Sequence, residues 1–336
     1  MTDMKALTDQ IRSTAREWLE KGEVKYIIGY EKDPNSPIAR PVFIHEPKDV
    51  DRLIIDLTCV NNLTRFLVDE MKNKPKRGEE PDLRPIGIVV KPCDSKTIVE
   101  LVKEKIVPRD RVKIIGVVSP STIDPKKLNM ALKNIPQNKR KDVKLKENGN
   151  DFILEYDGES SSIPQDDLLA DKCKVCVVHT PVISDITIGE GEKDWKKDNF
   201  EDIKDIEDMS PDERWEFWKR QLDRCVRCYA CREACPLCYC EECVFDREKP
   251  YRWNERTVGL KENAFYHLVR AMHLAGRCVD CGECERVCPM DIPIRKINRY
   301  LIKRARERFN VFPGINVEED PMFGSYDVDD PGEDIW

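Results

Sequence analysis

Apolar residues recur every three or four positions through Met4, Leu7, Ile11, Ala15, Trp18 and Leu19, which predicts an amphipathic helix over residues 4–20. The period then changes. Tyr26-Ile27-Ile28 and Val42-Phe43-Ile44 are short apolar runs on either side of a proline-rich turn at Pro34 to Pro37, and both read as strands. Leu53-Ile54-Ile55-Asp56-Leu57 reads as another, running to Cys59 and then to a helix with Leu63, Phe66, Leu67 and Met71 on one face. After a charged, proline-containing loop at 73–85, Ile86-Gly87-Ile88-Val89-Val90 is nearly all apolar, as expected of a strand covered on both faces. Pro92-Cys93-Asp94-Ser95 opens a helix with Ile98, Leu101 and Val102 inward, and residues 112–118 form the next strand. Strand, helix and strand at this length make a βαβ unit with parallel strands.

The second half has helical periodicity only. Residues 190–209 read as an acidic linker, and Ser210-Pro211-Asp212-Glu213 as a capping box with proline at the first helical position. The helix it starts holds Trp215, Trp218 and Leu222. A later helix shows Ala264, Phe265, Leu268, Ala271, Met272 and Ala275 on one face, with His267 and His273 read as ordinary helix residues. The last places Ile294, Ile297, Leu301 and Ala305 inward. Its outward side carries Arg295, Lys296, Arg299, Lys303, Arg304, Arg306 and Arg308, which is either a solvated face or a docking surface for acidic groups, including those of this chain's own tail.

Charge sharpens this division. The net charge of −7 is uneven: residues 190–213 carry −7 and residues 309–336 carry −8, so the remainder is +8. No basic patch is interleaved with stacking aromatics, so nucleic-acid binding is not indicated. No apolar run approaches about 18 residues, so no membrane span is expected. No apolar leader follows Asp3 and Lys5, and fifteen cysteines without an export signal point to a reducing cytosol and metal ligation.

The cysteines supply the chemistry. Cys225-x2-Cys228-x2-Cys231-x3-Cys235-Pro236 and Cys278-x2-Cys281-x2-Cys284-x3-Cys288-Pro289 are two copies of the bacterial ferredoxin run. Three thiolates at this spacing can wrap one 4Fe-4S cube. The fourth, followed by proline, is carried away and in two-cluster ferredoxins serves the other cube. The spacing therefore assigns Cys225, Cys228, Cys231 and Cys288 to one cluster, and Cys278, Cys281, Cys284 and Cys235 to the second. Disulfides and structural zinc are the alternatives; zinc sites usually pair two C-x2-C knuckles instead. The flanking acids Asp280, Glu283 and Glu285 should push the cluster potentials down.

Seven cysteines remain. Cys173-x2-Cys176, with Cys59 and with Cys93 at a helix N-terminus that favours a thiolate, could hold a third cluster; a C-x2-C and two core cysteines is the other reading. Cys238, Cys240 and Cys243 follow the first ferredoxin run, as ligands of a further centre or as groups lining an existing one.

Lys91-Pro92-Cys93-Asp94-Ser95, Ile114-Ile115-Gly116 and Cys173-x2-Cys176 with Asp185 and Gly189 resemble the beta-subunit family of deazaflavin-reducing hydrogenases and formate dehydrogenases. Cys-Pro-Leu-Cys-Tyr-Cys at 235–240 is also similar to the iron–sulfur subunit of anaerobic sulfite reductase and to sulfhydrogenase beta subunits. The resemblance implies an electron-relay subunit of a multisubunit anaerobic redox complex, sometimes carrying FAD. Its partners would be a catalytic subunit and a ferredoxin or heterodisulfide-reductase-like acceptor. The chain departs from the family in having Val118-Ser119-Pro120-Ser121 after the residue 112–118 strand, and in placing the ferredoxin runs after the α/β domain. No G-x-G-x-x-G supports a Rossmann-type flavin site.

The expected architecture is an α/β N-terminal domain, its sheet partly parallel around the βαβ unit, followed by a mainly helical two-cluster ferredoxin domain. The boundaries read as 1–189 for the first, 190–223 for the linker and capped helix, 224–308 for the ferredoxin and 309–336 for an acidic tail draped over a surface. The competing activities are electron relay and a flavin-dependent hydride-to-electron step; a zinc scaffold is the non-redox alternative.

Overall fold

The computed structural model describes residues 4–73, 80, 82–118, 121–191, 198–248, 252–324 and 329. Most of the loop expected at 73–85, Ser119-Pro120, the acidic stretch 192–197, and Tyr326 and Trp336 of the tail lie outside them. The chain divides into two compact units: residues 1–95 with 107–198, and residues 96–106 with 199–336.

The first unit runs α1 (Met4–Glu20), β1 (Ile27–Glu31), β2 (Arg40–Ile44), α2 (Thr64–Lys72), β3 (Ile86–Val90), the start of α3 (Pro92–Lys103), β4 (Val112–Val117), α4 (Pro125–Ala131), β5 (Lys144–Asn148), β6 (Asp151–Tyr156), β7 (Glu159–Pro164), α5 (Gln165–Leu168), α6 (Asp171–Lys174) and β8 (Ile186–Ile188). Five strands form a mixed sheet in the order β2-β1-β3-β4-β8, parallel except for the β1–β2 hairpin. Every residue of β1 and β3 is buried, which explains their unbroken apolar runs. Beyond β4, Asp185 accepts hydrogen bonds from the Ile114 N–H and from Arg109, each at 2.7 Å, and aligns β8 at the edge. Gly116 leaves room for that connection, since a Cβ there would sit 2.9 Å from Pro181.

Two expectations differ. Residues 53–57 make only an isolated bridge, Tyr30 with Ile54, instead of a strand. The Asp56 carboxylate accepts from the Thr58 N–H at 2.8 Å and so turns the chain, although Leu53, Ile55 and Leu57 are buried as a strand's would be. The second, three-stranded antiparallel sheet β5-β6-β7 was not anticipated. Its signal is the turn dipeptide Asp157-Gly158, both residues with positive φ (52° and 82°), as a two-residue hairpin loop requires. Phe152 and Leu154 of β6 pack with Ile123, Leu128 and Leu168 in a separate core.

The second unit contains α7 (Glu201–Glu207), α8 (Pro211–Asp223), α9 (Ala230–Glu233), α10 (Leu260–His273), α11 (Glu283–Arg286) and α12 (Ile294–Phe309). The Ser210–Glu213 capping box opens α8. Part of the acidic linker is thus the helix α7, and it lies against α12: Arg299 meets Asp202 at 2.8 Å, Lys303 meets Glu207 at 2.7 Å and Lys296 meets Asp205 at 3.3 Å. The basic side of α12 is accordingly not wholly a solvated face: Arg295 and Arg299 are 3% and 2% exposed, whereas Arg308 is exposed. Of the tail, the Gly314 N–H donates to Glu100 at 2.6 Å, fastening it to the 96–106 segment.

Helix α10 is rotated away from its apolar stripe, of which Ala271 stays buried. Its buried residues include Asn263, Tyr266, His267 and Arg270, while Leu268 and Met272 are 60% and 53% exposed.

Candidate iron–sulfur centre

The two cysteine runs fold alike. In the first, Arg227 (φ 49°) and Tyr229 (φ 61°) flank Cys228; in the second, Asp280 (φ 61°) and Gly282 (φ 74°) flank Cys281. Left-handed residues on both sides of the middle cysteine curl the chain so that successive thiols face one centre. A one-turn helix follows each loop, α9 or α11, before the proline redirects the chain. The Arg227 N–H donates to the Cys225 sulfur at 3.4 Å.

The thiols gather in two sets. Burial raises the Cys225 pKa, and the neighbouring Cys231, Cys288 and Cys228 raise it further. Cys231 is raised by burial with Cys288 and Cys228 again contributing, against the lowering effect of Arg270. Burial pushes Cys284 far up, with Cys278, Cys235 and Cys281 adding to it. Cys278 is pushed up to about 12, chiefly by burial, and Cys235 is one of its neighbours. Each run's last cysteine therefore lies among the other run's first three. Burial disfavours the thiolate at Cys225, Cys231, Cys278 and Cys284; iron would supply the positive charge that makes thiolates favourable there.

The comparisons with known proteins cover both cysteine runs with an iron–sulfur domain. Residues 220–292 match the 4Fe-4S dicluster domain, and residues 83–201 match the C terminus of the coenzyme F420 hydrogenase/dehydrogenase beta subunit. The chain is similar to beta subunits of F420-dependent formate dehydrogenases. That of Methanocaldococcus jannaschii is 26% identical over 71% of this chain and 76% of its own length. The formate dehydrogenase 1 beta subunit of Methanococcus maripaludis is 26% identical over 91% of this chain and 90% of its own. A chain of the F420-reducing [NiFe] hydrogenase complex of Methanosarcina barkeri aligns at 15% identity over 53% of this chain and 64% of that one, with a TM-score of 0.38.

Like the runs themselves, the surroundings of the sulfurs fit a cluster. His267 Nε2 is 3.4 Å from Cys225 Sγ, the Tyr266 hydroxyl is 3.7 Å from Cys231 Sγ, and Asn298 Nδ2 is 3.9 Å from Cys284 Sγ. Burial, reinforced by Arg270, holds the His267 pKa down to about 4, so the ring is neutral. His267 is thus no ordinary helix residue. Sequence periodicity hid it, because a polar buried face reads as a solvent face. Asp280 and Glu283, two of the three flanking acids, are ion-paired. Asp280 is held by Arg295 and Arg299, and Glu283 by Arg286 at 2.7 Å, so much of their field is cancelled.

Downstream of the first run, Arg277 contacts Glu104 and the Tyr239 hydroxyl, and Tyr239 donates to Glu104 at 2.8 Å. This pins the segment bearing three further cysteines, which have different neighbours. Cys238 is hydrogen-bonded to Cys235, an interaction that lowers its pKa; Cys243 bonds the Arg232 guanidinium; Cys240 is exposed.

In the first unit, Cys173 accepts from the Thr122 N–H at 3.3 Å, and its thiol is one of the groups around Cys93. Burial pushes Cys93 up to about 12, overriding the thiolate expected at a helix N-terminus. Cys59 belongs to the Asp56 turn, accepting from the Asp56 N–H at 3.4 Å, and Cys176 donates to the Val178 carbonyl at 3.3 Å. The structure thus brings Cys93 and Cys173 into one neighbourhood and ties Cys59 and Cys176 to local backbone. Nearby, Lys91 Nζ bonds Asp94 at 2.9 Å and the Asn61 carbonyl at 2.7 Å, and contacts the Tyr30 hydroxyl. These groups satisfy one another.

Proposed function

We propose that this chain is the electron-relay subunit of an anaerobic redox complex, with Cys225, Cys228, Cys231 and Cys288 holding one 4Fe-4S cluster and Cys278, Cys281, Cys284 and Cys235 the other. The observation that carries this reading is the interleaving of the two runs, which gives each set of three close-spaced thiols a fourth from the opposite run. Bound clusters would accept and release single electrons. The protein's part is to exclude water and to set potentials through His267, Tyr266 and Asn298 on the sulfurs. By analogy with the F420-dependent formate dehydrogenase beta subunits, the partners are a formate- or hydrogen-oxidising subunit and an F420-linked acceptor site.

Anaerobically purified protein should contain iron and acid-labile sulfide in equal amounts, and dithionite should produce the paramagnetic signal of reduced clusters. Colourless protein carrying zinc would overturn the proposal. Cys59, Cys93, Cys173 and Cys176 form a proposed third site, supported by the meeting of Cys93 with Cys173. A Cys173→Ala protein that keeps the wild-type iron content removes it. Cys238 is proposed to line the second cluster beside Cys235.

A second reading rests on the family description, which names coenzyme F420, a deazaflavin. In that reading the first unit receives a hydride and passes its electrons on singly. Flavin absorbance in the purified protein, bleached by reduced F420, would favour it; a flavin-free protein that still reduces its clusters favours plain relay.

A further inference from the structure

Arg270 is buried in the middle of helix α10 at 5% exposure, and no carboxylate contacts it among the described residues. Its Nη2 donates to the Cys231 carbonyl at 3.0 Å, and its Nε is buried without a hydrogen-bond partner. Arg295 and Arg299 are arranged differently, sharing Asp202 and Asp280, and the half-buried Arg277 has Glu104; the buried Arg227, like Arg270, donates to a backbone carbonyl, that of Glu255. An isolated buried cation is expensive unless a counter-charge lies close by. The groups around Arg270 are sulfurs, and they come from both sets: Cys231 from one, Cys235 and Cys284 from the other, with Cys238 beside them.

Resting on the two-cluster reading above, we infer that Arg270 is the shared counter-ion of both clusters, a positioning residue that raises both reduction potentials together. The physics is direct. Four thiolates leave a cubane cluster anionic, and one-electron reduction adds another negative charge. A fixed cation between the two stabilises the reduced form of each. The same charge makes reduction of either cluster less costly in the presence of the other, because both anions face the cation as well as each other. Arginine suits the place, since its charge persists even when buried and its planar fork can point at several acceptors.

The test is a redox titration, followed by electron paramagnetic resonance, of anaerobically reconstituted wild type, Arg270→Gln and Arg270→Lys, with iron and sulfide measured in each. The Gln variant should shift the reduced-to-oxidised ratio of both clusters at fixed potential by about tenfold towards oxidised, which is a potential lower by about 59 mV for a one-electron couple. The Lys variant, which keeps the charge, should lie closer to wild type. If the Gln variant loses its clusters while the Lys variant keeps them, the charge is needed for assembly and the inference stands. It is overturned by unchanged potentials in the Gln variant, by a shift confined to one cluster, by equal shifts in Gln and Lys, or by loss of clusters from both variants. Wild-type protein that assembles no clusters refutes the relay reading instead, so the two failures are distinct.

Discussion

The two units bury opposite kinds of side chain. In the five-stranded sheet, β1 and β3 bury every residue, and neighbours such as Ile28, Ile88 and Ile114 lie side by side in register. In the cysteine-rich unit the buried faces of α10 and α12 carry Asn263, His267, Arg270, Arg295, Asn298 and Arg299. The first is a core of carbon, held by removal of apolar surface from water. The second surrounds sulfur, and its helices turn donors and cations inward because anionic clusters are what they must cover. The difference teaches that hydrophobic patterning finds a core only where the core is hydrocarbon.

The largest effect expected from this contrast comes from removing iron. A chelator under reducing, anaerobic conditions should leave eight thiols, five of them buried, and the Arg270 charge uncompensated. Limited proteolysis within residues 199–324 should accelerate by about tenfold or more, while the sheet of the first unit keeps its protection. Equal sensitivity of the two units would break the comparison.

Next in size is the ion cluster on α12. Arg299→Ala leaves Asp202 buried beside Arg295 alone and should cost about 3–5 kcal/mol of stability, as removal of one member of a buried pair does. Ile115→Ala in β4 should cost about 2–5 kcal/mol through the cavity it creates. The iron content separates them: denaturant titration should destabilise both proteins, but only Arg299→Ala, which also loosens Asp280 between Cys278 and Cys281, should load clusters poorly.

How much of this the sequence discloses follows the same line. The βαβ unit, the amphipathic α1 and the capped α8 are legible because periodicity, turn chemistry and burial agree there. Residues 53–57 mislead because Asp56 diverts an apolar run into a turn, and β5-β7 is overlooked although Asp157-Gly158 signals a hairpin. The ferredoxin spacing reveals the thiols but not what touches them. His267, Arg270 and Asn298 carry no motif, and the helix of the first two even shows an apolar stripe displaced from its buried face. The acidic linker and the basic face of α12 are each visible as charge; that Asp202, Asp205 and Glu207 meet Arg299, Lys296 and Lys303 is a tertiary fact.

The smallest effect is the sharpest discriminator. Leu268 has the position of a core residue in the α10 stripe, where Leu→Gln would ordinarily cost several kcal/mol. In the structure it is 60% exposed, so Leu268→Gln should change stability by no more than about 0.5 kcal/mol and leave the iron content intact. The neighbouring His267→Gln, one position away but against the Cys225 sulfur, should instead alter the spectrum or potential of the first cluster alone. If Leu268→Gln unfolds the unit while His267→Gln is silent, the helix is rotated by about a third of a turn from the orientation described. The polar face would then look to water, and the sulfurs would be packed against hydrocarbon after all.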